Sequence, residues 1–295
     1  MNRIEGIFPP LPTSFSEDGK IFPEKIKENI ENLLRFDLAG ILILGSNGEL
    51  VMLTEKEKEQ AYRVAREAIP SDRTMIAGTG GQSTAETIER TLMAAESGAD
   101  AALVLNPFYY KGQMNDKSLI NHYHKVADAS KIPVLIYNMP ANSGIDMEAG
   151  TLISIAQHPN IVGLKDSGGN IVKMGAVIEA MPEDFTVLAG SASFLLPALS
   201  IGAKGGILAL ANIAPALCLD IRKAFLDNDL KKAAGLQRKA IEANTAVTRK
   251  WGVPALKAAM DYTGNYGGPV REPLLEFDRA LLPELYRIVD KVIPA

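Results

Sequence analysis

A chain of 295 residues, 47% of them hydrophobic, is long enough to bury about three quarters of its unfolded surface, in one large domain with a small appendage or in two. A net charge of −4 gives no general attraction for phosphate backbones or anionic lipid, so nucleic acid and membrane surfaces are excluded as expected partners. The single cysteine, Cys218, permits no intrachain disulfide and fits a reducing compartment.

In chain order, the opening MNRIEGIFPPLPTSF breaks its apolar residues with Glu5 and three prolines, which does not read as a secretion signal. Short apolar runs bounded by turn residues follow at 6–12, 40–46, 74–80, 101–107, 133–139, 161–167, 185–191 and 205–211. They read as eight strands. Amphipathic stretches lie between them, with Phe22, Ile26, Ile30, Leu33 and Leu34 on one helical face. Thr54 with Glu57 and Ser83 with Glu86 read as capping boxes opening two further helices.

Nearly continuous apolar strands alternating with helices imply a parallel sheet covered on both faces. Eight such units predict closure into a (β/α)8 TIM barrel, with an open doubly wound sheet as the alternative. The most apolar region, 205–219, contains Asn212 and Pro215 and falls short of the roughly 20 residues of a membrane helix. Beyond residue 226 the strand-like runs stop, and 229–250, 253–262 and 273–292 read as helices. The expected organisation is a barrel over 1–226 and a small C-terminal helical region over 227–295. A cytoplasmic protein is expected, although a mature mitochondrial one would read the same way.

In such a barrel the active site lies at the carboxyl ends of the strands, so polar residues late in each run carry the chemistry. Lys165 ends an otherwise apolar run, where its charge costs desolvation unless it is paired or its pKa falls. A neutral amine there could attack a carbonyl, whereas an ion pair with Asp166 or Glu49 would be structural. Tyr137 is either a core aromatic with its hydroxyl on backbone or a proton shuttle beside Lys165. The turn at 45–49 places Ser46, Asn47 and backbone N–H groups where they could cradle a carboxylate, or simply reverses the chain. The segment 106–110 puts Phe108, Tyr109 and Tyr110 at the rim, as packing or an oligomer contact.

Other candidates carry less. His122, His124 and His158 lack metal-ligand spacing, the first two are expected on a solvated helix face, and no metal is expected. The glycine clusters at 78–81 and 202–206 match neither the dinucleotide nor the P-loop fingerprint. Cys218 reads as a small core residue and Trp251 as a packing anchor.

Four motifs in order, Gly45-Ser46-Asn47-Gly48-Glu49, Pro107-Phe108-Tyr109-Tyr110, Tyr137-Asn138-Met139-Pro140 and Gly163-Leu164-Lys165-Asp166-Ser167, span nearly the whole chain. On them it resembles the dihydrodipicolinate synthase and N-acetylneuraminate lyase superfamily of class I pyruvate-dependent aldolases. The resemblance implies a lyase with no metal and no cofactor beyond a covalent imine between Lys165 and a 2-oxo acid. It makes Tyr137 the proton relay and sets Ser46 and Asn47 on the carboxylate, with Ser46 also in the relay. Tyr109 would enter the neighbouring subunit's site, making a dimer the minimum unit and a tetramer the expected homo-oligomer.

Synthases of this superfamily that condense aspartate semialdehyde usually carry an arginine where this chain has Asn142. Sialic acid lyases place acids after the seventh strand, where this chain reads Gly190-Ser191-Ala192-Ser193. With the segments at 140–144, 165–169 and 243–249, the resemblance is strongest to 4-hydroxy-2-oxoglutarate aldolases. It implies reversible cleavage of that acid to pyruvate and glyoxylate, with Asn142, Ser167 and Gly190 also contacting substrate. Dihydrodipicolinate synthesis and 2-keto-3-deoxy sugar acid cleavage or dehydration are the alternatives by the same lysine. A non-catalytic 2-oxo acid sensor is the reading from another class.

Overall fold

The computed structural model describes residues 4–293. Each expected run forms a strand: β1 (Gly6–Phe8), β2 (Gly40–Ile43), β3 (Thr74–Gly78), β4 (Ala101–Leu105), β5 (Val134–Asn138), β6 (Ile161–Asp166), β7 (Thr186–Ala189) and β8 (Gly205–Ile207). All pair in parallel, in the order β1-β8-β7-β6-β5-β4-β3-β2. Leu42 N donates to Pro9 O at 3.0 Å and Leu11 N to Leu42 O at 2.9 Å, so the segment after β1 bridges to β2 and closes the ring. The fold is a (β/α)8 TIM barrel. An open sheet would have left two edges of unpaired backbone groups.

The helices α1 (Pro23–Leu33), α2 (Glu55–Ala68), α3 (Thr84–Glu96), α4 (Asp116–Ala129), the short α5 (Pro140–Ser143), α6 (Ala149–Ala156), α7 (Ile171–Ala180), α8 (Leu195–Ser200) and α9 (Pro215–Leu226) lie between and after the strands. Helix α1 buries Ile26, Ile30 and Leu33, the face that its apolar spacing marks out. Thr54 and Glu57 form the full capping box of α2. Ser83 accepts from Glu86 N, but the Glu86 carboxylate turns to Gln82 N, so α3 keeps half of its expected box.

Period-two alternation divides the strand side chains between two cores. Phe8, Leu42, Ile76, Leu103, Leu135, Leu188 and Ile207 fill the barrel interior, while the larger cluster lies between strands and helices. Cys218 is fully buried in that outer layer, with its thiol pushed up to about 12 by burial. Among the described residues no helix is long and apolar enough to cross a membrane.

The C-terminal region differs from expectation at two points. The predicted helix at 229–250 is α-helical over α10 (Leu230–Thr245) and then widens into a π-turn at Ala246–Lys250 before α11 (Gly252–Tyr262). The predicted helix at 273–292 is shorter, comprising a 3-10 turn at Arg279–Leu281 and α12 (Leu282–Val289). Asp278 caps that 3-10 turn, and Pro283 occupies the first turn of α12, where its missing N–H costs nothing. Helix α10 packs back on the barrel: Gln237 donates to Ala192 O and accepts from Leu196 N, both at 2.7 Å.

Candidate active site

Lys165 and Tyr137 are register partners at the ends of β6 and β5, and both side chains point into the barrel mouth. Lys165 is 4% exposed, and its Nζ lies 4.2 Å from the centroid of the Tyr137 ring. Burial pushes its pKa below the ordinary lysine value, against an opposing pull from Tyr137. Neither acid that could have paired with it does so. Asp166 faces the other side of the strand, and Glu49 is engaged with Lys257. The Tyr137 hydroxyl shares a 3.2 Å hydrogen bond with Ser46 Oγ rather than tying itself to backbone. An amine with a lowered pKa beside a linked pair of hydroxyls can add to a carbonyl and pass protons.

Ser46 and Asn47 sit on a 3-10 turn, Ser46–Gly48, bracketed by two non-glycine residues in the left-handed region, Leu44 at φ 57° and Glu49 at φ 55°. Such conformations persist only where surrounding contacts impose them. Here the imposing contacts come from far along the chain. The Glu49 carboxylate is buried against Lys257 Nζ of α11 at 2.7 Å and accepts from Arg271 N at 2.9 Å. Lys257 also donates to Pro269 O at 2.6 Å, and Thr13 Oγ1 donates to Gly48 O at 2.6 Å. The turn so held leaves Asn47 Nδ2 buried without a partner among the described residues, a free donor for an anion.

These groups open onto a cavity of about 770 Å³. Ser46, Asn47, Tyr137, Asn142, Lys165, Ser167 and Gly190 all line it. Gly190 is required by close approach, because a Cβ there would stand 2.0 Å from Ser167 Oγ and 2.7 Å from Asp166 O. Beneath the cavity, Asp166 accepts from Gly168 N at 2.8 Å, Gly169 N at 3.1 Å and Asn138 Nδ2 at 2.8 Å, with Lys173 Nζ at 3.4 Å. Asn138 and Lys173 both also reach Asp146. The aspartate beside Lys165 thus shapes the loop after β6. Lys165 and Arg249 are the cationic side chains of the cavity lining, and no acidic side chain is part of it.

Tyr109 lies apart from this group. It is 75% exposed, stacked edge-on against the 70% exposed Tyr110 with centroids 5.0 Å apart, and its backbone N–H and that of Phe108 both donate to Gln82 Oε1. The expectation for His122 fails. Its ring is buried with Leu119, Tyr123 and Val126, bonds Thr84 through Nδ1 at 3.0 Å, and has a pKa pushed down to about 4 by burial. His124 is half-buried on Ile155 O and His158 meets Asp128. Among the described residues no cluster of three or more His, Cys, Asp or Glu could hold a metal ion. Trp251 packs edge-on against Phe277. The Glu49–Lys257 anchor and the placement of Arg249 on the cavity wall have no local signal in the sequence.

Comparison with known proteins makes the class plain: the chain is a (β/α)8-barrel lyase. Residues 3–292 match the dihydrodipicolinate synthetase family, and the chain belongs to it. It is 35% identical to a 4-hydroxy-tetrahydrodipicolinate synthase of Methanoculleus marisnigri over 97% of this chain and 98% of that one. It is 34% identical to a "probable 4-hydroxy-2-oxoglutarate aldolase, mitochondrial" of Emericella nidulans, over 92% and 89%. A dihydrodipicolinate synthase structure from Bacillus anthracis superposes with a TM-score of 0.95 at 27% identity, covering all of both chains. A prophage protein of the family from E. coli, solved in complex with pyruvate, gives 0.92 at 29% identity over 99% of each. Membership among lyases sets aside the non-catalytic sensor.

Proposed function

We propose that the chain is a class I aldolase that forms an imine between Lys165 Nζ and a 2-oxo acid, and that it reversibly cleaves 4-hydroxy-2-oxoglutarate to pyruvate and glyoxylate. The observation that carries the imine is the buried Lys165 amine, lowered in pKa, free of any carboxylate and set against Tyr137. The neutral amine adds to the C2 carbonyl, and the carbinolamine takes a proton from Tyr137 and loses water to give the protonated imine. As the C3–C4 bond breaks, its electron pair moves into the imine and the C4 hydroxyl proton passes to Tyr137. Glyoxylate leaves, the enamine takes a proton at C3, and water releases pyruvate. Ser46 relays protons with Tyr137, and Asn47 Nδ2 with the backbone of the turn holds the C1 carboxylate. The protonated imine is itself the electron sink, so no step calls on a metal ion.

The charge of the cavity supports the choice of substrate. Aspartate semialdehyde would bring an ammonium group toward Lys165 and Arg249 with no acidic side chain in the lining to receive it. With its single carboxylate held at the Asn47 turn, a 2-keto-3-deoxy sugar acid would leave Arg249 without an anion. A dicarboxylic 2-oxo acid supplies one to each. The 35% identical synthase of Methanoculleus marisnigri favours the second reading, dihydrodipicolinate synthesis by the same lysine. Pyruvate release from a panel of 4-hydroxy-2-oxo acids, run beside condensation of pyruvate with aspartate semialdehyde, separates the two. Fastest turnover is expected with 4-hydroxy-2-oxoglutarate. Efficient condensation would make the chain a synthase, and a best rate on 2-keto-3-deoxygluconate would overturn the acceptor assignment alone.

The exposed Tyr109 is assigned to a partner subunit's site, which makes a dimer the smallest active unit and fits a tetramer of such dimers. Tyr109→Phe should slow turnover, and mixing it with Lys165→Ala protein should restore part of the rate. Verified mixed oligomers with no restored rate would contradict a shared site.

A further inference from the structure

We infer that Arg249, with Ser191 and Ser193, forms an anion subsite for the far carboxylate of a five-carbon 2-oxo dicarboxylic acid. The inference deepens the imine reading above and rests on it for the position of the near carboxylate.

The π-turn at Ala246–Lys250 brings three consecutive residues, Val247, Thr248 and Arg249, to the wall of the cavity that holds Lys165. Successive side chains of an ordinary α-helix diverge by roughly 100°, so a widened turn is a means of presenting neighbours to one space. The cations around it have acids of their own: Lys250 pairs with Glu284 at 2.8 Å and Lys291 with Glu242 at 2.6 Å. Among the described residues Arg249 makes no ion pair or hydrogen bond, and it lines the cavity as an exposed residue whose guanidinium has no partner to give up.

The two serines are oriented for the same task. Asn244 Nδ2 donates to Ser191 Oγ at 2.9 Å and to Ser193 Oγ at 2.8 Å, and Ser191 Oγ accepts again from Ser193 N at 3.3 Å. With their oxygens taken as acceptors, both hydroxyls keep their hydrogens for another partner, and both line the cavity. A guanidinium fork and two hydroxyls whose oxygens are already engaged present donors to the cavity, with no carboxylate in the lining to compete for them. A carboxylate can accept from all three groups, and bidentate contact with arginine is the stronger form of that bond. The hydroxyl tail of a sugar acid, which must donate as well as accept, is the poorer fit.

The test compares two probes of equal chain length, 2-oxoglutarate and 2-oxopentanoate, as competitors of pyruvate for borohydride-trapped labelling of Lys165. Wild type should prefer 2-oxoglutarate. Arg249→Gln should weaken it about 10- to 100-fold while pyruvate labelling and competition by 2-oxopentanoate hold steady. Arg249→Lys should fall between, and Ser191→Ala should lose about threefold. Unchanged competition by 2-oxoglutarate in Arg249→Gln, or equal weakening of both acids, would overturn the subsite. Calorimetric binding of the same acids to Lys165→Ala protein, with and without Arg249→Gln, reads the subsite without the imine. A preference for the dicarboxylate that depends on Arg249 there, together with no labelling of wild type, would refute the imine and keep the subsite.

Discussion

Replacing Tyr137 by Phe is expected to lower kcat by about 10²- to 10⁴-fold, the span lost when a positioned acid-base group is removed. The change deletes one oxygen. The ring stays in the barrel mouth beneath Lys165 Nζ, 4.2 Å from its centroid, so the amine keeps its burial and its packing. What is lost is the phenolic proton and the 3.2 Å link to Ser46 Oγ. That bond alone is worth only about 0.5–1.5 kcal/mol of stability, so unfolding should move little while turnover collapses. Steady-state kinetics beside denaturant melts check this. A near-normal rate would return Tyr137 to a packing role and remove the relay from the mechanism.

Lys257→Met is expected to cost about 3–5 kcal/mol of stability, the usual penalty for stripping one partner from a buried ion pair. Lys257 and Glu49 have side chains only 2% and 1% exposed and are 2.7 Å apart. Burial lowers the Lys257 pKa and the Glu49 charge opposes that shift. Removing the ammonium leaves the Glu49 carboxylate out of water with, among the described residues, only Arg271 N to meet it. Glu49 is itself the left-handed residue that closes the Ser46–Asn47 turn, so carboxylate binding should weaken as well. The paired change Glu49→Gln with Lys257→Met should recover part of the stability, since the uncompensated charge is gone. A denaturation midpoint unmoved by Lys257→Met would show that the pair does not hold the turn.

The barrel was legible because each strand is an apolar run cut off by turn residues, yet every run but that of β6 was read at least two residues too long. The 40–46 run shows why: the ladder ends at Ile43, Leu44 turns left-handed, and Gly45 and Ser46 leave the sheet to form the cavity wall. Composition does not separate the last rungs of a ladder from the loop built on them. Lys165 and Tyr137 stood out because each is a polar group late in an apolar strand, and the structure sets them side by side. The Glu49–Lys257 pair spans 208 positions, so no local period points to it. Arg249 was visible only as part of a resembling segment, because a π-turn departs from the helical period by which helices are read. His122 was misassigned for a similar reason: Asn121, His124 and Lys125 make its stretch of α4 look solvated, while Leu119, Tyr123 and Val126 carry it inward.

The central claim, an imine at Lys165, is tested most directly by mass spectrometry of protein treated with pyruvate and borohydride across a pH series. Reduction should fix one pyruvyl group on the peptide carrying Lys165 and none in Lys165→Ala protein. Only the neutral amine attacks, and burial lowers the Lys165 pKa. Labelling should therefore rise with pH and reach half-maximum below the ordinary lysine value of about 10.4. Label on another residue, label persisting in Lys165→Ala, or a half-point at or above that ordinary value would contradict the account.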